Sequence, residues 1–285
     1  MAGDDFLRAL EDDGFYTPPI KRHSIEKIRI HNYYLTLFTT AMKDRWPQRA
    51  YVGLYSGSGR ARIEDTGEIV ETTALSACRQ RFPFTKYIFV DNDPSCAESL
   101  QERIAELPES LDADVIQADV AEAVPRIVAS MPSYGPGKGL LSFCFVDPFS
   151  AALDFGVIRE LSRYRMDFLI LLMLGRDLRT NFRRYYEDPS DTRIGSLIDD
   201  PTWRDEWRER DLGRGDVVPF LLEKFDAAMT RIGYRPGRPS EAYPIRVAGK
   251  RVFLYSLVFY SKSDLGRKFW EATRKSLTNQ FTLDV

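Results

Sequence analysis

Metal-binding side chains are scarce in this chain: two histidines and three cysteines are spread over 285 residues. Cys78, Cys96 and Cys144 form no Cys-x-x-Cys pair, which argues against a zinc site, because zinc ligands come in close pairs. Each cysteine reads instead as a small buried apolar residue. The odd cysteine number, and a start (MAGDDFLRALEDDGF) that is acidic and lacks an apolar leader, lead us to expect a cytoplasmic location. No stretch approaches the roughly 20 apolar residues of a membrane span, so no membrane partner is expected. An excess of one charge is missing too. Forty Lys+Arg against 42 Asp+Glu give a formal charge of -2, which speaks against a uniformly basic nucleic-acid binder and leaves only local basic patches.

What is present is an alternation of apolar runs and helical patterns. The composition, 44% hydrophobic and 29% charged, is that of a globular protein, and the length suits one large α/β domain. A first strand is expected within Ala50 to Arg60, an apolar run that ends in the small-residue turn Ser56-Gly57-Ser58-Gly59. A second, Tyr87–Val90, ends in Asp91-Asn92-Asp93, and Pro94 suits the first turn of the following helix. A third, Asp114–Asp119, also ends in an acid. Leu140–Val146 is unbroken apolar sequence ending in Asp147-Pro148-Phe149, and Phe168–Leu174 is the fifth strand. Helices between them give the pattern of a doubly wound parallel sheet. Tyr243–Val247 and Val252–Ser261, joined by Ala248-Gly249-Lys250-Arg251, read as a closing β-hairpin, followed by a helix over Asp264–Ser276.

Residues 1–46 read as an arm and a helix, the helix running from Ser24, a candidate N-cap, to Trp46 before Pro47. Lys27 and His31 lie one turn apart on it, and a solvated pair is the expected arrangement. Residues 47–285 form a Rossmann-like domain with a helical insertion at about 176–216. Its tryptophans, Trp203 and Trp207, are expected to pack rather than bind.

A glycine turn after one strand and an acid after the next suit a nucleoside-containing cofactor laid across two strand ends. A dinucleotide fingerprint would carry a third glycine at the start of a helix, facing a pyrophosphate. Here Arg60–Glu71, with a polar turn at Asp65-Thr66-Gly67, separates the glycines from a helix starting near Thr72 or Thr73, which argues against NAD or FAD.

These features together resemble the class I S-adenosylmethionine-dependent methyltransferase fold, and more narrowly the three-Cys-motif partner family. The matching residues are Tyr55-Ser56-Gly57-Ser58-Gly59-Arg60, Gly67-Glu68-Ile69-Val70, Phe89-Val90-Asp91, Phe145-Val146-Asp147-Pro148-Phe149, Phe259-Tyr260-Ser261-Lys262 and Lys268-Phe269-Trp270, spanning about Lys27 to Trp270. The resemblance implies a seven-stranded methyltransferase sheet with a C-terminal antiparallel hairpin, S-adenosylmethionine as cofactor, and a three-cysteine protein as partner. It implies cofactor contacts from Tyr55, Ser56, Gly57, Ser58, Gly59, Asp91 and Asn92, with Asp119 and Val120 flanking the adenine. It also implies that Asp147, Pro148 and Phe149 stand where amino-methyltransferases orient an amino group and stack the target base.

Arg176, Arg179 and Arg183, interleaved with Phe182, Tyr185 and Tyr186, are candidate substrate contacts, since basic and aromatic residues together suit nucleic acid. A solvated, salt-bridged helix is the competing explanation, because Glu187, Asp188 and Asp191 follow. Two functions remain open at this level: a methyltransferase acting on a nucleic-acid base or a related nitrogen or oxygen nucleophile, and a non-catalytic interaction protein that keeps the fold.

Overall fold

The computed structural model describes residues 9–135, 138–151, 153–175, 178, 180–236, 241–247 and 252–281. Strands are numbered in chain order. Three short ones, β1 (Pro19–Ile20), β3 (Arg60–Ile63) and β4 (Ile69–Glu71), make a small sheet in the order β1-β3-β4. The other seven are β2 (Gln48–Leu54), β5 (Lys86–Asp91), β6 (Ala113–Gln117), β7 (Leu140–Val146), β8 (Met166–Leu172), β9 (Tyr243–Arg246) and β10 (Phe253–Tyr260). They form one sheet in the order β6-β5-β2-β7-β8-β10-β9. The first five of that order run parallel, and β10 is antiparallel to both β8 and β9. The expected hairpin is therefore present, while its turn at 248–251 lies outside the described residues.

Side chains on β2 alternate between two cores, as the two-residue period of a strand requires. Ala50, Val52 and Leu54 face a largely aliphatic layer. Tyr51 faces an aromatic one with Tyr34, Phe89, Phe143 and Phe145. Nearly continuous apolar runs such as LLSFCFV follow from this, because a parallel strand covered on both faces has no solvent side.

Register sets the site. Leu54 pairs with Val90 of β5 and with Val146 of β7, so Tyr55, Asp91 and Asp147 leave the sheet level with one another. The chain crosses to opposite sides of β2 to reach these two neighbours, and such a switch point opens a crevice at the carboxyl ends of the strands.

Helices α1 (Ser24–Met42), α2 (Thr73–Cys78), α3 (Pro94–Ala105), α4 (Val120–Ser130), α5 (Phe155–Leu161), α6 (Arg193–Ile198), α7 (Trp203–Glu209), α8 (Val217–Arg231) and α9 (Asp264–Phe281) complete the described elements. Ser24 opens α1 as its first helical residue. His23 holds the cap position without a side-chain hydrogen bond, so the expected Ser24 cap is not formed. The polar turn expected at Asp65-Thr66-Gly67 is present, with φ 75° at Gly67, and it joins two strands that were not expected, β3 and β4, into a hairpin. Its strands of four and three residues are too short for a two-residue period to register. The arm is also more than a surface extension: β1 pairs in parallel with β3.

Candidate functional site

The turn after β2 is built around positive φ angles, 61° at Tyr55, 64° at Gly57 and 85° at Gly59. A Cβ on Gly59 would lie 2.7 Å from Leu75 Cγ and 3.0 Å from Leu100 Cδ1, so the loop packs tightly on the core there. A Cβ on Gly57 would meet nothing within 4 Å. The loop thus presents an open backbone surface at Gly57 and a closed one at Gly59.

Ser56 Oγ donates to the Gly53 carbonyl (2.9 Å) and accepts from the Val90 amide (3.3 Å), which ties the turn to both strands. A Cβ on Gly53 would stand 2.8 Å from Ser56 Oγ, so the inward turn of this serine leaves no room for a larger residue there. Ser58 Oγ donates to the Arg60 carbonyl, and its own carbonyl accepts from the buried guanidinium of Arg103 at 2.7 Å. Arg103 also donates to Asp13 through Nε and Nη2, one edge of its guanidinium, so the glycine turn and the N-terminal arm share one clamp.

Asp91 is 5% exposed, and its Oδ2 accepts from the Gly57 amide at 2.7 Å while Oδ1 accepts from the Asp93 amide at 3.0 Å. Burial raises its pKa, and the backbone donors oppose that rise. A carboxylate offers about four acceptor positions, so Asp91 keeps capacity for a further donor beside its backbone partners. Asn92 is exposed, and Asp93 caps α3 by accepting from the Ser95 and Cys96 amides. Pro94 stands at the start of α3 as expected.

Asp119 is exposed and caps α4 through the Ala121 amide, 2.8 Å, and Val120 is buried behind it. Tyr55 reaches toward this end of the crevice. Its hydroxyl pKa is pushed up to about 12, first by burial and then by the charges of Asp119 and Asp154. Tyr55 thus lies within electrostatic reach of the acids that follow β6 and β7.

At the end of β7, Pro148 is buried and Phe149 is 84% exposed. Leaving so large an apolar ring in water is unfavourable unless something covers it in use. Asp147 Oδ2 accepts from Lys27 Nζ at 2.5 Å, with side chains 16% and 18% exposed. The expected solvated pair of Lys27 and His31 is not what forms. Lys27 neutralises Asp147, and His31 is fully buried, with Nδ1 beside Asn32 Oδ1 and Nε2 beside the Tyr51 hydroxyl, both at 2.9 Å. Burial lowers the His31 pKa to about 4, so the ring is neutral.

Sequence reasoning missed Tyr255. It is 4% exposed, its hydroxyl is buried without a hydrogen-bond partner, and the nearby charges of Asp147 and Glu26 add to the burial that raises its pKa. Nothing in LYSLVFY marks it, because a tyrosine in an apolar strand reads as core.

Arg176 and Arg179 lie outside the described residues. Arg183 is exposed, at the start of a π-helical turn, Arg183–Glu187. The aromatic residues expected to stack bases beside it are otherwise engaged. Phe182 stacks on Tyr186 at 4.7 Å, Tyr186 packs on Trp203 and Trp207, and Arg184 pairs with Asp191. The tryptophans thus pack, as expected, and the basic-aromatic spacing reflects a core-covering insertion. Among the described residues no group of three or more His, Cys, Asp or Glu side chains could hold a metal ion, and no helix is long and apolar enough to cross a membrane.

The strand order, the antiparallel β10 and the acids at successive strand ends define a Rossmann-like methyltransferase fold. No protein-family model and no curated protein matches the chain. Solved structures similar to it include the Legionella pneumophila protein LPL1258, at 10% identity and TM-score 0.46, over 82% of this chain and 84% of that one. The O-methyltransferase TomG of Streptomyces achromogenes, solved with S-adenosylmethionine, is 12% identical with TM-score 0.43, covering 90% and 92%. A geranyl diphosphate C-methyltransferase of Streptomyces coelicolor is 13% identical with TM-score 0.39, covering 79% and 78%. Likenesses this distant carry no functional argument, and the fold rests on the chain's own topology.

Proposed function

We propose that the chain is an S-adenosylmethionine-dependent methyltransferase acting on a nucleic-acid base or a related nitrogen or oxygen nucleophile. The observation that carries this reading is the level placement of two different sites on one sheet edge. The open Gly57 backbone closed onto Asp91 lies on one side of β2, and Asp147 with the exposed Phe149 lies on the other.

The cofactor, when bound, supplies an electrophilic methyl group. Gly57 would admit its amino-acid part by close backbone approach, the remaining acceptor capacity of Asp91 would take the ribose hydroxyls, and Tyr55, Asp119 and Val120 would bound the adenine. Asp147 accepts a hydrogen bond from the acceptor's amino group and so orients its lone pair, while Phe149 stacks on the ring. Such positioning is the main contribution a methyltransferase makes to the rate. Lys27 keeps Asp147 in place through their ion pair. The family resemblance adds a three-cysteine protein as the proposed partner.

The test is transfer of labelled methyl from S-adenosylmethionine to pooled single-stranded DNA and RNA oligonucleotides. Transfer lost in Asp147→Ala, with cofactor binding kept, supports the reading. Cofactor binding without transfer to either nucleic acid would remove the acceptor assignment and favour the non-catalytic alternative.

A further inference from the structure

A groove of about 380 Å³ lies between the start of α1, the β3–β4 hairpin and β9, lined in part by Arg22, His23, Glu26, Arg29, Glu68 and Arg246. Three arginines from two elements distant in sequence converge on it, and among the described residues none of the three has a carboxylate within ion-pairing distance. Several arginines elsewhere are held by carboxylates instead. Arg60 and Arg103 share Asp13, Arg79 pairs with Glu71, and Arg210 bridges Glu206 and Glu223.

The two acids in the groove make their hydrogen bonds elsewhere, although the Arg29 charge acts on Glu26 and opposes the rise that burial gives its pKa. Glu26 accepts from the Tyr243 hydroxyl at 2.8 Å, and Glu68 accepts from Thr66 Oγ1 at 3.1 Å. His23 is held toward its neutral form, by burial first and then by the charges of Lys27 and Lys21.

The groove also has a direction. His23 lines it and touches the Tyr255 ring edge-on, with centroids 6.2 Å apart. Tyr255 carries the buried orphan hydroxyl close to Asp147, and Lys27, which pairs with Asp147, follows Glu26 on α1. Guanidiniums free of carboxylate ion pairs, Arg246 lying over the Phe253 ring at 5.9 Å, in a groove that adjoins Tyr255 through His23, fit a chain of phosphates leading to a base. Arg presents a planar fork that matches phosphate oxygens.

We propose that Arg22, Arg29 and Arg246 form the path of a single-stranded nucleic-acid backbone that delivers its base to Asp147 and Phe149. This rests on the methyltransferase reading for its endpoint, and it assigns phosphate contacts to residues other than those singled out in the sequence.

The experiment is fluorescence anisotropy with labelled dT12 and rU12 across a salt series, on the full chain and on Arg22→Ala/Arg29→Ala/Arg246→Ala. Each phosphate contact to a single strand adds about 0.7 to the slope of log K against log salt, which is about fivefold in affinity at 0.1 M. The triple variant should therefore lose about 2 from the slope and about 100-fold in affinity at 0.1 M salt. Arg210→Ala, removing an arginine already held by two glutamates, should change neither. Melting curves confirm that the variants fold, and S-adenosylmethionine calorimetry is run alongside.

Comparison of the two oligonucleotides decides between DNA and RNA. Native protein that binds S-adenosylmethionine but neither oligonucleotide, or a folded triple variant with an unchanged slope, overturns the groove assignment and leaves the methyltransferase reading standing. Oligonucleotide binding lost in the triple variant but without any cofactor binding does the reverse. Inorganic phosphate that displaces the oligonucleotide at concentrations near its own binding constant for the groove would also overturn the proposal, since it would mark a small-anion site.

Discussion

Replacing Gly57 and Gly59 separately by alanine should separate a loop that packs from a loop that binds. Both have positive φ, 64° and 85°, a conformation that costs an L-residue roughly 1–2 kcal/mol. Alanine recovers about 0.4–1 kcal/mol of this through the reduced entropy of the unfolded chain. Gly57→Ala meets no atom within 4 Å, so its net cost is only about 1 kcal/mol, or a Tm lower by roughly 2–4 °C for a chain of this size. Gly59→Ala drives a methyl to 2.7 Å from Leu75 Cγ. Overpacking of that kind adds about 1–3 kcal/mol, and the total of about 2–4 kcal/mol lowers Tm by roughly 4–16 °C.

Cofactor affinity should sort the variants the other way. Open space at Gly57 is where a ligand approaches, so Gly57→Ala, although nearly fully stable, should lose at least about tenfold in S-adenosylmethionine affinity, equivalent to about 1.4 kcal/mol. Differential scanning fluorimetry and calorimetry on the same preparations read both quantities. A folded Gly57→Ala protein with native cofactor affinity would refute the placement of the ligand against this turn.

Three further outcomes follow from the same geometry. Lys27→Met leaves Asp147 without its cation in a site where it is 16% exposed, and the cost should fall near 2 kcal/mol, between the values for exposed and fully buried pairs. Asp147→Asn in the same chain should recover part of it, and additive losses in denaturant melts would show that the pair is not coupled. Asp167, fully buried and accepting from Tyr34 at 3.0 Å, has its pKa raised by burial from 3.8 to about 6. Its folded form holds a proton that the unfolded chain has released, so its contribution to stability falls as pH rises from about 4 to about 6 and stays low above that. The difference amounts to about 3 kcal/mol. Wild type measured against Asp167→Asn across this window should show that slope, and parallel stability curves would contradict it. Arg103→Ala, which removes the clamp on Asp13 and on the Ser58 carbonyl, should cost about 3 kcal/mol. It should also raise amide exchange in both the arm and the glycine turn. Faster exchange in the arm alone would show that the two are independent.

The sheet was legible in the sequence because parallel strands buried on both faces leave unbroken apolar runs, and because acids at their ends stand out against them. Asp91 and Asp147 were found in this way. The β3–β4 hairpin was not, since its strands are short and half polar. Lys27 was visible as a residue but not as a partner of Asp147, because 120 residues separate them and helical spacing tells nothing about a contact with a strand end. Tyr255 was hidden by its apolar surroundings. The aromatic residues beside Arg183 misled for the opposite reason: a pattern suited to stacking bases is equally suited to covering a core, and only Trp203 and Trp207, far along the insertion, decide between them.

The central claim is that Asp91 and the glycine turn form an S-adenosylmethionine site. Isothermal titration of the native protein and of Asp91→Ala with S-adenosylmethionine tests it most directly. The expected result is single-site binding by the native protein, weakened by about 10- to 150-fold in the variant, as loss of a charge-assisted hydrogen-bond acceptor worth about 1.5–3 kcal/mol requires. No binding heat from the native protein at millimolar ligand, or the same affinity in both proteins, would contradict it.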